Sequence, residues 1–180
     1  ILQGAGINID RGGEEAVGAM QSVDALLLVI GKGTAIPLMK RMVEELGLQD
    51  KVLFRDPMPY PEMMAHTQHA AIGLSLDKPL NLNYKFSLPN KIFDYIHAGV
   101  PIVASDLPEV GRIVKGEKVG ITIAEVTSQA VSTAVNALLN DEATWKTHRE
   151  NCRRASQTLT WEKEKAALEE IYRPLLEDCS

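Results

Sequence analysis

The 180-residue sequence predicts a doubly wound α/β domain, with a Rossmann-like parallel sheet of about six strands, helices on both faces and extra helices at the C-terminal end. Three observations carry that expectation. Short apolar runs alternate with helical patterns from end to end. The runs are continuously apolar, as in strands covered on both faces of a parallel sheet. No internal repeat, low-complexity tract or Pro/Gly/Ser linker divides the chain, so residues 1–180 are expected to form one domain.

Taken in order, the strand-like runs are Ile1 to Ala5, Ala25 to Ile30, Val52 to Phe54, Ala70 to Leu76, Pro101 to Ser105 and Gly120 to Ile123. Helical patterns lie at about Gly13 to Met20, Ala35 to Leu46, Pro61 to His66, Asn90 to Ala98, Pro108 to Val114 and Ser128 to Asn140. Thr34 fits an N-cap with Pro37 in the first turn, and Gly47 fits a C-cap. Pro89 has the fixed backbone angle of a first helical turn, and Gly99 the freedom that ends a helix. Between them Ile92, Phe93 and Ile96 are expected on one apolar face, with Lys91 and Asp94 sharing another. Two further helices, Asp141 to Ser156 and Trp161 to Leu176, close the chain, the last ending near Pro174. Trp145 and Trp161 are expected in core or inter-helix packing.

Bulk properties narrow the function. A composition 45% hydrophobic and 24% charged is that of an ordinary globular protein. Nineteen Lys and Arg against 24 Asp and Glu give a net charge of −5, which argues against nonspecific nucleic-acid binding. Cys152 and Cys179 are too few for a disulfide framework or a Cys-rich metal site, which fits a reducing, cytoplasmic compartment. The longest apolar run, Ala25 to Ile30, is too short to cross a membrane, and no signal-peptide pattern is present. The start at Ile1, without an initiator Met, suggests a domain cut from a longer protein. His66 and His69 form an H-x-x-H pair with no third ligand at a suggestive spacing, so no metal site is expected.

If the strands follow the order 3-2-1-4-5-6, ligands bind at the carboxyl ends of the first and fourth strands, where the order reverses. The loops there are Gly4 to Gly13 and Asp77 to Pro89. The first, GAGINIDRGG, fails the G-x-G-x-x-G fingerprint because Ile9 stands three beyond Gly6, which disfavours a nicotinamide-dependent oxidoreductase. It reads instead as a tight turn bringing backbone close to a ligand, with Arg11 as a phosphate partner. Gly31-Lys32-Gly33-Thr34 lacks P-loop spacing, and no acidic pair beyond Asp10 supports a receiver domain. The helix opening at Asn90 leaves unpaired amides and a positive dipole end, a seat for an anion.

The segment PNKIFDYIHAGVPIVASDLPE, residues 89–109, resembles the donor-nucleotide motif of family 4 glycosyltransferases, the retaining enzymes with two Rossmann-like halves called the GT-B fold. The resemblance implies that residues 1–180 are the C-terminal, donor-binding half of such an enzyme, the N-terminal acceptor half being absent. By position Asp94 is the helix carboxylate that accepts the ribose hydroxyls of a nucleotide sugar. Arg11-Gly12 resembles the family's basic residue followed by Gly, although Ala5 and Gly6 stand where a second basic residue is common. Phe86 replaces a Glu usual eight positions before the helix carboxylate, which is itself Asp here rather than Glu. Leu88-Pro89-Asn90-Lys91 looks like the variant found among bacterial polysaccharide glycosyltransferases.

The resemblance thus implies a catalytic set of Arg11 and Lys91, stabilising the diphosphate leaving group, with Asp94 positioning the ribose. Gly4, Gly6, Gly12, Gly31, Lys32, Met58, Ser87, Pro89 and Asn90 are the expected donor contacts. The implied substrate is a nucleoside-diphosphate sugar, with no metal cofactor required. The partners would be an acceptor sugar or lipid-linked glycan reached through the missing half, and no nucleic acid. The full-length enzyme is expected in the cytoplasm, peripheral at the inner face of the membrane. The competing reading is a noncatalytic nucleotide-binding or partner-binding α/β domain.

Overall fold

A computed structural model describes the chain from residue 1 to 177, with side chains described to residue 173. Six strands, β1 (Leu2–Gly4), β2 (Leu27–Gly31), β3 (Val52–Arg55), β4 (Gly73–Ser75), β5 (Ile102–Ser105) and β6 (Gly120–Ile123), are all parallel. They form two three-stranded ladders, β3-β2-β1 and β4-β5-β6. The ladders meet where the Ile1 amino group donates to the Ile72 carbonyl at 2.7 Å and the Leu74 N–H donates back to the Ile1 carbonyl at 2.9 Å. That exchange is a single parallel rung, with Ile1 opposite Gly73. It gives the order 3-2-1-4-5-6 and puts the reversal between β1 and β4.

The inner strands β1, β4 and β5 bury both faces, and alternate residues feed two cores, while the edge strands β3 and β6 are only partly buried. In β5, Val103 enters one cluster while Ile102 and Ala104 enter the other. The first core lies under α1 (Gly13–Ala19), α2 (Ile36–Glu45) and α7 (Ser128–Asn140). The second lies under α5 (Asn90–Ala98), α6 (Pro108–Gly116) and α8 (Glu142–Ser156). With α3 (Tyr60–Thr67), α4 (Leu82–Phe86) and α9 (Trp161–Glu177), these complete the helices among the described residues. A continuously apolar strand is what such two-sided burial requires.

Several elements differ from expectation for identifiable reasons. The polar loop Asp77 to Pro89 contains α4, a five-residue helix started by Asn81, whose side chain accepts from the Tyr84 N–H at 2.8 Å. Leu82 and Phe86 on it are exposed, so no apolar stripe betrays it. Thr34 does not cap α2: its N–H is taken by Asn8 Oδ1 at 3.0 Å, and Ala35 holds the cap position. Gly47 stands one residue past the C-cap Leu46, in the left-handed region at φ 67°. Pro89 is the N-cap of α5 rather than a first-turn residue, and Gly99 closes that helix at φ 68°. Phe93 is not part of the buried face of α5, which is made by Ile92, Tyr95 and Ile96. The helix α9 continues past position 174, and Cys179 lies outside the described residues.

Trp145 braces α8 by donating its indole N–H to the Ala71 carbonyl at 2.7 Å. Trp161 does the opposite of what was expected and is exposed at the start of α9, as are Leu168, Ile171 and Tyr172 along it. Among the described residues no helix is long and apolar enough to cross a membrane.

Candidate functional site

A cleft of about 1070 Å³ opens at the carboxyl ends of β1 and β2, beside the reversal point. Its floor is the β1–α1 loop and the end of β2, one wall is the N-terminal half of α5, and Met58, Tyr60 and the start of α9 line its rim. Of the twelve residues expected at the site, nine line it: Gly4, Gly6, Arg11, Gly31, Met58, Pro89, Asn90, Lys91 and Asp94. Elements far apart in sequence thus converge on the address that strand order predicts.

Gly12, Lys32 and Ser87 stand outside the lining. Gly12 is the N-cap of α1 at φ 74°, and a Cβ there would collide with the main chain and Cβ of Leu76. Its job is close approach between α1 and the end of β4. Lys32 is exposed and contributes its carbonyl, which accepts the Ile7 N–H at 2.9 Å. Ser87 closes α4, its hydroxyl donating to the Tyr84 carbonyl at 3.0 Å. Gly31 has both reasons to be glycine: φ is 136°, and a Cβ would strike the Gly4 carbonyl.

At the head of α5, Pro89 offers no side-chain cap, and while the Ile92 N–H donates to the Pro89 carbonyl at 3.1 Å, the amides of Asn90 and Lys91 have no partner from the cap position. Lys91 is half-buried beside them and makes no ion pair among the described residues. Burial lowers its pKa from the ordinary lysine value; nearby Asp77 acts against that shift, and nearby Arg11 adds to it. Arg11 is not a free cation. Its Nη1 pairs with Asp77 Oδ1 at 3.1 Å, and its guanidinium lies 4.3 Å from the centre of the Tyr84 ring. Asp77 is buried at 1% exposure, and neither its Oδ2 nor the Arg11 Nε has a partner. Two cations and one carboxylate therefore leave this end of the cleft net positive, with the Arg11 fork held in orientation on two sides.

Asp94, one turn further along α5, is half-buried. Its Oδ1 accepts from the Tyr60 hydroxyl at 3.0 Å and its Oδ2 from Gln3 Nε2 at 3.3 Å. Burial, then the bond to Asp94 and its charge, raise the Tyr60 pKa. The sequence points to Arg11, Lys91 and Asp94 and to the loop that carries Asp77 and Tyr84, but not to the pairing of that loop with Arg11, nor to Tyr60 and Gln3. Two signals were available: Asp77 is an acid at the end of a strand flanking the reversal point, and Gln3 is a polar residue inside an apolar strand. Among the described residues no three His, Cys, Asp or Glu side chains are grouped to hold a metal ion.

A family model for glycosyl transferases group 1 matches residues 14–141, most of the chain and the lining of this cleft apart from β1, the loop after it and the segment from Leu159 into α9. The chain belongs to the group 1 glycosyl transferases. Among curated proteins, the chitobiosyldiphosphodolichol beta-mannosyltransferase of Candida albicans is 29% identical over 124 residues, 66% of this chain and 26% of that protein. Among solved structures, sucrose-phosphate synthase from Thermosynechococcus elongatus superposes at a TM-score of 0.83 with 22% identity, covering 98% of this chain and 45% of that one. The C-terminal domain of a Francisella tularensis group 1 glycosyl transferase, LpcC, gives 0.71 with 15% identity over 88% of this chain and 84% of that domain. Anabaena HepE, solved in complex with UDP, gives 0.74 with 14% identity over 87% of this chain and 43% of that one. Such identities show a shared fold, that of a Rossmann-like GT-B domain. The chain spans about a quarter of the curated relative and under half of the longer solved enzymes.

Proposed function

We propose that residues 1–180 are the donor-binding C-terminal half of a two-domain retaining glycosyltransferase, which transfers a hexose from a nucleoside-diphosphate sugar in bacterial cell-surface polysaccharide biosynthesis. The observation that carries the reading is the convergence of Arg11, Lys91 and the uncapped head of α5 on one side of the cleft, with Asp94 a turn beyond. A diphosphate needs cations and amides, and a ribose needs an acceptor one sugar away. HepE solved with UDP, and a pneumococcal O-GlcNAc transferase solved with UDP and GlcNAc, support a nucleotide of that class.

In this reading the chemistry of the domain is electrostatic. Breaking the bond between the sugar and the diphosphate puts negative charge on the departing phosphate oxygen. Lys91, Arg11 and the amides of Asn90 and Lys91 stabilise that charge without reorganising. The reading assigns no metal, because these groups supply the positive charge. Asp94 fixes the ribose and so the register of the diphosphate against them. The acceptor, a sugar or a lipid-linked glycan, would be held by the other half. The Candida relative, whose name carries a dolichol-linked chitobiosyl group, supports that acceptor class. The exposed Leu168, Ile171 and Tyr172 of α9 support a second half lying against this helix. The full enzyme is assigned to the cytoplasm, peripheral at the inner face of the membrane.

Isothermal titration of the 180-residue chain with UDP, GDP and ADP tests the proposal. Two or three charge-assisted contacts at about 1.5–3 kcal/mol each support a dissociation constant of about 1 μM to 1 mM for the preferred nucleotide. Asp94→Ala should weaken that binding about tenfold or more. If none of the three binds at millimolar concentration, the donor reading is wrong.

A further inference from the structure

Gln3 is a primary amide buried at 1% exposure in an otherwise apolar strand, so both its ends must find partners. Its Nε2 donates to Asp94 Oδ2 at 3.3 Å, and its Oε1 accepts from Thr67 Oγ1 at 2.6 Å. Thr67 is itself fully buried, at the C-terminal end of α3. Chemistry fixes the direction of this relay. A carboxylate only accepts, so Gln3 must turn its NH2 toward Asp94 and its carbonyl toward Thr67. The single hydroxyl proton of Thr67 then goes to Gln3 and not to the Met63 carbonyl at 2.9 Å, since otherwise two oxygens would face each other unbridged at 2.6 Å.

The other oxygen of Asp94 is held by Tyr60, the first residue of the same helix. Helix α3 therefore grips Asp94 from both ends, directly through Tyr60 and through Gln3 from Thr67. Each carboxylate oxygen has room for about two donors, so each keeps one site free. Two free acceptors on one oriented plane match a vicinal diol. We infer that Gln3 and Thr67 are positioning residues that orient Asp94 for the diol of a ribose, so that recognition of the sugar ring is set from the floor of the cleft by a buried amide and a buried hydroxyl. The inference rests on the donor reading above.

The test compares, for whichever of UDP, GDP and ADP binds tightest, its dissociation constant with that of its 2′,3′-dideoxy form, using inorganic pyrophosphate as a control. The parent chain should prefer the ribose form about tenfold or more. Gln3→Met keeps the volume and lets Thr67 turn to Met63; Thr67→Val keeps the shape and removes the proton that orients Gln3. Both should reduce the preference to about threefold or less with pyrophosphate affinity unchanged, and Thr67→Ser should restore it. Full preference retained in Gln3→Met and Thr67→Val overturns the inference and leaves the donor reading standing. Loss of pyrophosphate binding in both makes their role purely structural and also overturns it. Nucleotide bound by the parent chain with no ribose preference overturns Asp94 as the ribose acceptor, and the inference with it.

Discussion

At Lys91 an ammonium is half-buried at the head of α5 with a second cation nearby, and its pKa falls below the ordinary 10.5. The folded chain therefore disfavours the protonated form. That cost is fully present below the folded-state pKa, where both states carry the proton, and fades as the pH climbs through that value toward 10.5, where the unfolded chain loses it too. Lys91→Met is accordingly expected to raise the melting temperature by a few degrees, about 1 kcal/mol, while weakening nucleotide binding about tenfold or more. Thermal melts in a pH series should show the gain shrinking on the alkaline side; a melting point lowered by this substitution would show the ammonium to be well compensated. Arg11, Lys91 and Asp94 could be read from sequence because each sits in a recognisable local pattern. Their partners could not: Arg11 meets Asp77 across 66 residues, and Asp94 meets Tyr60 across 34 and Gln3 across 91. Side-chain networks of that span are a product of the fold, and no local spacing encodes them.

The helix α5 shows what periodicity does and does not give. Its limits, Asn90–Ala98, follow from the Pro and Gly that flank it, but its buried face is rotated from the purely apolar one. Tyr95 is inside and Phe93 lines the cleft, because the Tyr95 hydroxyl finds the carbonyls of Leu74 at 3.1 Å and Ile1 at 3.4 Å. A buried phenol so satisfied costs nothing that a hydrophobicity scale charges for it. Burial, helped by the negative charge of nearby Asp94, raises its pKa far above the usual value, so it stays neutral across the working range. Tyr95→Phe should lower stability by about 1 kcal/mol, measured by urea melts, with no change in nucleotide affinity. The short α4 was invisible for the complementary reason, having no buried side at all. Gly12, placed in the site by resemblance, belongs to packing: Gly12→Ala is expected to cost more than about 2 kcal/mol, since positive φ and the Leu76 collision act together.

At the scale of the whole molecule, fold class, strand order and the position of the cleft were all legible, because six apolar runs separated by helices leave few topologies open. What covers α9 was not, since no local pattern says what lies against the exposed Trp161, Leu168, Ile171 and Tyr172. On the proposed reading, in which the acceptor is held by another half, residues 1–180 should bind nucleotide and transfer nothing. Incubation with a radiolabelled nucleotide sugar and a panel of acceptors checks this, and turnover by the 180-residue chain alone would refute the division of labour between halves. The single rung joining Ile1 to Gly73 has a further consequence. Two ladders that share so little backbone bonding should part more readily along that line than elsewhere, and the cleft beside it is lined by β1 on one side and α5 on the other. A ligand spanning Gly4 on one side and Lys91 on the other would act as a suture, so deuterium uptake at the Leu74 amide should slow when the cleft is filled, even though no atom of the ligand reaches it.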